Sequence, residues 1–408
     1  MKCLLRNMFQ DKAVFRQVDY YSFLVHTLIY GAAVGLNSIL IPAYALELNA
    51  SIIEVGLIVG SRGIGHFALV VPVGFFLERF GAKKIFLVSS LLEAFFVLAI
   101  FFVNTPMLLL LFATLDGFMC STRLTVLNAA FLHLLPQIDP VRNGWYKASM
   151  TTGLMLVGPL VGGMLATQIG LAAAFLFNAV WILAGIALLV LLPTQFLMMQ
   201  HKRETAGNYL NNFIKILRDR TVLLVAAGET LTTGYMSSFR TLVILVIVGL
   251  LKRPVDIVSA VVLMSGAANI ITTFAGPVLL KDYQAKTYYH ITVLIMVPTL
   301  LLLSFGDQDW MLYAGACLSG LGMGVMSLAN YRIMGRIRGE RGLIAGVFTF
   351  SAGFSMAVAP MISSFLADYF GVRLAFVAYI IPFLVLESAL PIYRTRVSSW
   401  DLAKKEAI

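Results

Sequence analysis

The chain has 408 residues, of which 60% are hydrophobic and 12% charged, with a formal net charge of +10. Soluble domains are about 45–50% apolar and about 25% charged, so this composition excludes a water-soluble fold whose apolar residues all fit inside a core. The three cysteines, Cys3, Cys120 and Cys317, are scattered, which points away from a disulfide frame or a metal site. No phosphate-cradling, dinucleotide or zinc-protease signature is present, so no cofactor is expected.

Apolar windows long enough to cross a bilayer, roughly 20 residues each, predict twelve spans. They lie at 21–44, 53–75, 84–103, 107–132, 145–168, 171–193, 222–248, 257–280, 288–305, 309–333, 342–366 and 373–393. Ahead of the first, Asp11 and Asp19 stand among the bases and no small-residue cleavage pattern precedes a short apolar core, so no removable signal is predicted. Lys and Arg crowd the N-terminus and every second connection. The opposite side holds only Lys252, Arg253 and Arg373, while Arg62, Arg123 and Arg240 fall within spans. Basic segments resist translocation, so both termini are predicted to be cytoplasmic. The positive charge then reports topology rather than nucleic-acid binding.

The longest polar segment on the predicted inner side, HKRETAGNYLNNFIKILRDR at 201–220, divides the chain. It is read as a cytoplasmic linker between bundles at 1–200 and 221–408. Two echoes relate the bundles. GPVLLKDYQAK at 276–286 repeats features of GFFLERFGAKK at 74–84, and Pro360 follows Pro159 by 201 residues, with small residues beside both. One offset near half the chain length predicts parallel repeats about an axis along the membrane normal. The predicted fold class is an all-α integral membrane protein with twelve transmembrane helices in two pseudo-symmetric six-helix bundles.

In GFFLERFGAKK the key positions are Gly74, Glu78, Arg79, Gly81, Lys83 and Lys84. In the fifth span, GLMLVGPLVGG, they are Gly158, Pro159, Gly162 and Gly163. The first pattern resembles the loop between the second and third spans of major facilitator superfamily transporters, with Glu78 in place of the usual Asp and Ala82 in place of a usual base. The second resembles the fifth-span motif of drug:proton antiporters, although Gly153 is one place off the usual upstream glycine. A third family signature, an arginine four residues before a glycine in the fourth span, is missing: Ala113 stands at the required distance from Gly117. The resemblance implies alternating access around a central cavity between the halves, with the loop cluster as a gate. Glycines would permit close backbone approach, and Pro159 would favour a bend.

Ionisable groups at membrane depth cost about 2.5–3.5 kcal/mol on insertion scales and face partners or water. Five are read within spans: Arg62, Asp116, Arg123, Glu229 and Arg240. Arg62 shares a helix face with His66, four residues on. Asp116 and Arg123 are two turns apart, about 10 Å, so each needs another partner. A buried carboxylate whose ionisation responds to a nearby base suits proton coupling, which makes Asp116 and Glu229 the predicted proton carriers, with the three arginines beside them. His26 and His66 are weaker candidates. Asn37, Asn128, Tyr235, Asn269 and Asn330 are read first as bonds between helices. The reading is a secondary transporter and not an enzyme: a monomer in the bacterial inner membrane that exchanges a small molecule for protons, outward by resemblance. The alternative is uptake or uniport of a small anionic metabolite, suggested by three buried arginines against two acids.

Overall fold

The computed structural model of the chain describes residues 12–134, 143–192, 194, 197, 220–279, 285–334 and 341–388. Among them no strand occurs, and the chain runs through twelve helical passes. The first six are α1 (Lys12–Glu47), α2 (Ile52–Ala68, resuming as Val70–Phe80), α3 (Ala82–Ile100), α4 (Pro106–Leu134), α5 (Asn143–Thr152, Gly153–Val157 and Gly158–Gln168) and α6 (Leu171–Leu191). The second six are α7 (Arg220–Ile244, extended by Leu245–Leu250), α8 (Val255–Leu279), α9 (Ala285–Phe305), α10 (Asp309–Met334), α11 (Arg341–Phe370) and α12 (Val372–Ala378, resuming over 380–388). Nine of these passes contain a helix long and apolar enough to cross a membrane. The other three have visible causes: α2 is interrupted at Leu69, α12 at Tyr379, and α3 carries Lys83, Lys84 and Glu93.

Two compact units result. One comprises Met1–Arg203 with Ile247–Leu263, the other Glu204–Val246 with Met264–Ile408. The predicted linker at 201–220 lies outside the described residues except for Arg220, which begins α7.

Local chemistry explains the helix ends and irregularities. The start of α2 is a capping box: the Ser51 hydroxyl accepts from the Glu54 amide, and the Glu54 carboxylate accepts from the Ser51 amide, satisfying donors that a helix start leaves open. Within α5 a π turn precedes the proline, and the Gly158 amide reaches back five residues to the Gly153 carbonyl. Pro159 has no N–H to offer, and the widened turn lets the helix pass it.

One expectation needs correction. The stretch from Gly74 to Phe80 was read as part of an inner loop, but the structure continues α2 through Phe80, and the connection to α3 is Gly81 alone, at φ +81°. Only there does the backbone need a residue without Cβ. The side chains at Gly74 and Glu78 lie outside the described set.

The structure also adds to the internal repeat. Gly170, between α5 and α6, and Gly371, between α11 and α12, both have positive φ, at +88° and +91°. They are separated by the same 201 residues as Pro159 and Pro360, and each begins a helix with Ala–Phe four and five residues on: Ala174–Phe175 and Ala375–Phe376, all four fully buried.

Candidate functional site

In the first unit α4 is the spine of the site. It crosses α2 so closely that a Cβ on Gly117 would lie 2.5 Å from the Arg62 Cα, and one on Gly65 would lie 2.7 Å from the Gly117 carbonyl oxygen. With no side chain at either position the backbones touch. Arg62, about one turn before Gly65, then lies against Asp116, the neighbour of Gly117.

Asp116 is fully buried. Its Oδ2 accepts from Arg62 Nε at 2.9 Å and pairs with Arg62 Nη2 at 2.8 Å. Both carboxylate oxygens lie 3.4 Å from Asn37 Nδ2 on α1. Asn178 of α6 donates in turn to Asn37 Oδ1 at 2.7 Å and to the Ala33 carbonyl at 3.3 Å. Four helices thus converge on one carboxylate. One turn along, the Ser121 hydroxyl donates to the Gly117 carbonyl and lies 2.7 Å from His66 Nδ1. Since the hydroxyl proton is used on the carbonyl, the imidazole Nδ1–H is the donor to Ser121.

Arg123, two turns beyond Asp116, pairs through Nη1 with Glu93 Oε2 of α3 at 2.7 Å, both side chains being at most 2% exposed. The guanidinium also lies over the rings of Tyr30 and Phe86, at 5.2 and 5.3 Å. Its Nε finds no hydrogen-bond partner among the described residues. Glu93 is the functional residue that the sequence reading missed. The signal was present: Glu93 is an acid within the apolar run SSLLEAFF, and the rule that selected the other five applies to it equally. Its presence also corrects the charge balance behind an anionic solute, because Arg123 is matched by a buried acid of its own.

The second unit holds a different arrangement. Buried Glu229 of α7 lies 3.4 Å from Asn330 Nδ2 of α10, which also reaches the Thr232 hydroxyl at 3.3 Å, while Tyr289 of α9 donates to Asn330 Oδ1 at 2.8 Å. Arg240 is part-buried on the same helix, eleven residues and about 16 Å further along by the helical rise, too far to meet Glu229. Of the other polar candidates, Asn128 accepts from Tyr146, Tyr235 pairs with Ser319, and Asn269 donates to the Gly320 carbonyl. Each bond joins two helices.

In the fifth-span motif, a Cβ on Gly158 would lie 2.5 Å from the Ala32 carbonyl oxygen and 2.6 Å from the Leu36 nitrogen of α1. Gly158 is therefore a contact point between α1 and α5, and Gly153, the displaced glycine, meets α1 at Leu28 and Ala32 in the same way. Gly162 has more room, with Leu36 at 3.5 Å. In the loop motif, Arg79 lies over the exposed Phe80 ring at 5.3 Å, and Lys84 is exposed. No group of three or more His, Cys, Asp or Glu side chains among the described residues could hold a metal ion.

Twelve passes in two related six-helix sets, with buried charge pairs between helices, invite comparison with known membrane proteins. The sequence profile described as Major Facilitator Superfamily matches residues 23–253 and 236–407. The chain belongs to the Major Facilitator Superfamily. Membership makes it a multi-pass integral membrane transporter. The multidrug resistance protein MdtG of Citrobacter koseri is 25% identical over 260 residues, which cover 59% of this chain and 61% of that protein. The MFS transporter asaE of Aspergillus flavus is 30% identical over 157 residues, 37% of this chain and 32% of that protein. The chain thus spans less than two thirds of the length of these curated relatives.

Solved superfamily structures share the fold. The nucleoside transporter NupG superposes with a TM-score of 0.72 at 13% identity, covering 90% of this chain and 97% of NupG. A bacterial homologue of the human lysosomal transporter Spinster gives 0.72 at 12% identity, covering 92% and 96%.

Proposed function

We propose that this superfamily member is a proton-coupled exporter of small molecules in a bacterial inner membrane, with Asp116 and its partner Arg62 as the coupling centre. The observation that carries the reading is the pairing of fully buried Asp116 with part-buried Arg62, held by asparagines of α1 and α6. The pair is neutral as it stands. A proton taken up by the Asp116 carboxylate would leave the guanidinium without its counter-charge, and a buried uncompensated charge costs several kcal/mol. Protonation therefore drives Arg62 to find another partner or water, which requires the helices that hold it to shift.

Arg123, two turns away on the same face of α4, forms with Glu93 of α3 a second neutral pair within electrostatic reach of the first. Glu229, which the Asn330 amide reaches at 3.4 Å, is the proposed second site of proton exchange. The turn at Gly81, with Arg79, Lys83 and Lys84, is the proposed inner gate. The multidrug resistance name of the Citrobacter koseri relative and the resemblance of the fifth-span motif to drug:proton antiporters support outward transport. The pairing of Arg123 with Glu93 weakens the anionic alternative, because it removes the excess of buried arginine in the first unit.

Proteoliposomes with an acidic lumen test the reading. Molecules inserted inside-out should accumulate an apolar fluorescent dye in the lumen, and a protonophore should abolish the accumulation. Accumulation indifferent to the protonophore would overturn the coupling.

A further inference from the structure

The second unit contains a cavity of about 910 Å³ walled by α7, α11 and α12. It lies at the upper end of the size range of small-molecule sites, about 300–1,000 Å³. No charged residue lines it. The hydroxyls of four lining residues are already paired within the unit: Tyr235 with Ser319 at 2.9 Å, Ser355 with Thr233 at 2.6 Å, and Ser363 with Tyr379 at 3.0 Å. Five large hydrophobic lining residues are exposed, namely Leu223 of α7, Phe354 and Ile362 of α11, and Ile381 and Val385 of α12. At membrane depth such a rim meets hydrocarbon.

The internal repeat shows that the fold does not require this space. At the corresponding corner of the first unit, α6 is bonded to α1 by two side chains. Asn178 reaches Asn37 and the Ala33 carbonyl, and the Trp181 indole N–H donates to the Ile29 carbonyl at 3.2 Å. The residues 201 positions later are Tyr379 and Pro382. Pro382 has no N–H to give. At Tyr379 the helix is interrupted; its hydroxyl pairs with Ser363 of α11, and its ring packs edge-on against Tyr235 of α7. Pro382 thus cannot repeat the bond that Trp181 makes, and both Tyr379 and Pro382 line the cavity.

We propose that this cavity binds one uncharged, predominantly apolar small molecule drawn from the bilayer. Apart from the Thr230 hydroxyl, every wall is apolar or internally satisfied, so a charged ligand would find no ionic partner there and would lose its hydration. As a collection point for exported solute the site rests on the export reading above, but its occupancy does not.

The test uses the full-length protein in nanodiscs of defined phospholipid, with an uncharged apolar probe bearing a diazirine, followed by mass spectrometry of the labelled peptides. Labelling is expected to concentrate on the peptides that carry Tyr235, Ser355 and Tyr379. A tenfold excess of the unreactive analogue should reduce it at least fivefold. Ala227→Trp and Ala378→Trp, which fill the space, should do the same, whereas Val180→Trp on exposed α6 should leave it unchanged. Labelling spread over all lipid-facing helices without competition would overturn the site. So would competition by added phospholipid, because the occupant would then be an acyl chain. If the probe binds but proton-driven accumulation fails in the wild type, the export reading falls and the site stands. If Ala227→Trp abolishes labelling without slowing transport, the site is not on the export route and its role as a collection point is overturned.

Discussion

Substituting Glu93 by Gln keeps the shape of the side chain and an oxygen that can accept from Arg123, but removes the negative charge. The guanidinium is then left 2% exposed and without a counter-ion. At about 4 Å between charge centres and an effective dielectric near 20, the lost attraction is about 4 kcal/mol. The Gln oxygen that still accepts from Arg123 offsets about 1 kcal/mol of this. The expected net loss is about 3 kcal/mol, the lower end of what breaking a buried pair costs. At about 2–4 °C per kcal/mol for a unit of this size, thermal unfolding in detergent should fall by about 6–12 °C. Replacing both partners, Glu93→Leu with Arg123→Met, leaves no charge to bury and should recover most of the loss. If Glu93→Gln unfolds with the wild type, the rings and not the carboxylate hold Arg123. If the double variant is as unstable as the two single losses added together, the pair is not an isolated electrostatic unit and the reasoning fails.

Other outcomes follow from the geometry. Gly158→Val should disrupt assembly of the first unit, seen as loss of monodisperse protein in size-exclusion chromatography, because its side chain would overlap the α1 backbone at Ala32 and Leu36. Gly162→Ala, with its nearest neighbour at 3.5 Å, should be tolerated in the same assay. Arg373→Ala removes a pair with Asp307 in which both side chains are more than a third exposed. Exposed pairs contribute at most about 1 kcal/mol, so the unfolding temperature should change little. Asn37→Leu takes away an amide that reaches both oxygens of Asp116. It should alter the pH dependence of transport more than Asn178→Leu, which touches the carboxylate only through Asn37.

Most of the helices were legible because a membrane span imposes a length as well as a composition. The predicted spans at 145–168 and 309–333 lie within a few residues of α5 and α10. The interruptions had a local signal as well: Leu69 and Tyr379 each stand three residues before a proline, Pro72 and Pro382, and a proline has no N–H for the carbonyl four residues back and crowds the turn before it. The site was partly legible through the cost of burying charge, which singled out Asp116, Arg62 and Arg123. It did not assign partners, because Arg62 meets Asp116 only where Gly65 and Gly117 let α2 touch α4, and nothing in either helix alone says which glycines face each other. Glu93 was passed over although the same cost applied to it. The asymmetry between Trp181 and Pro382 was readable from the repeat offset once Gly170 and Gly371 were recognised as the same turn.

The coupling role of Asp116 is tested most directly by comparing two assays of Asp116→Asn in proteoliposomes. One is exchange of labelled for unlabelled substrate at equal pH, and the other is accumulation driven by a pH gradient. An amide keeps the shape of the carboxylate and one oxygen that can accept from Arg62 but cannot carry the proton, so exchange should persist while gradient-driven accumulation is lost. Accumulation at the wild-type level in Asp116→Asn would contradict the account.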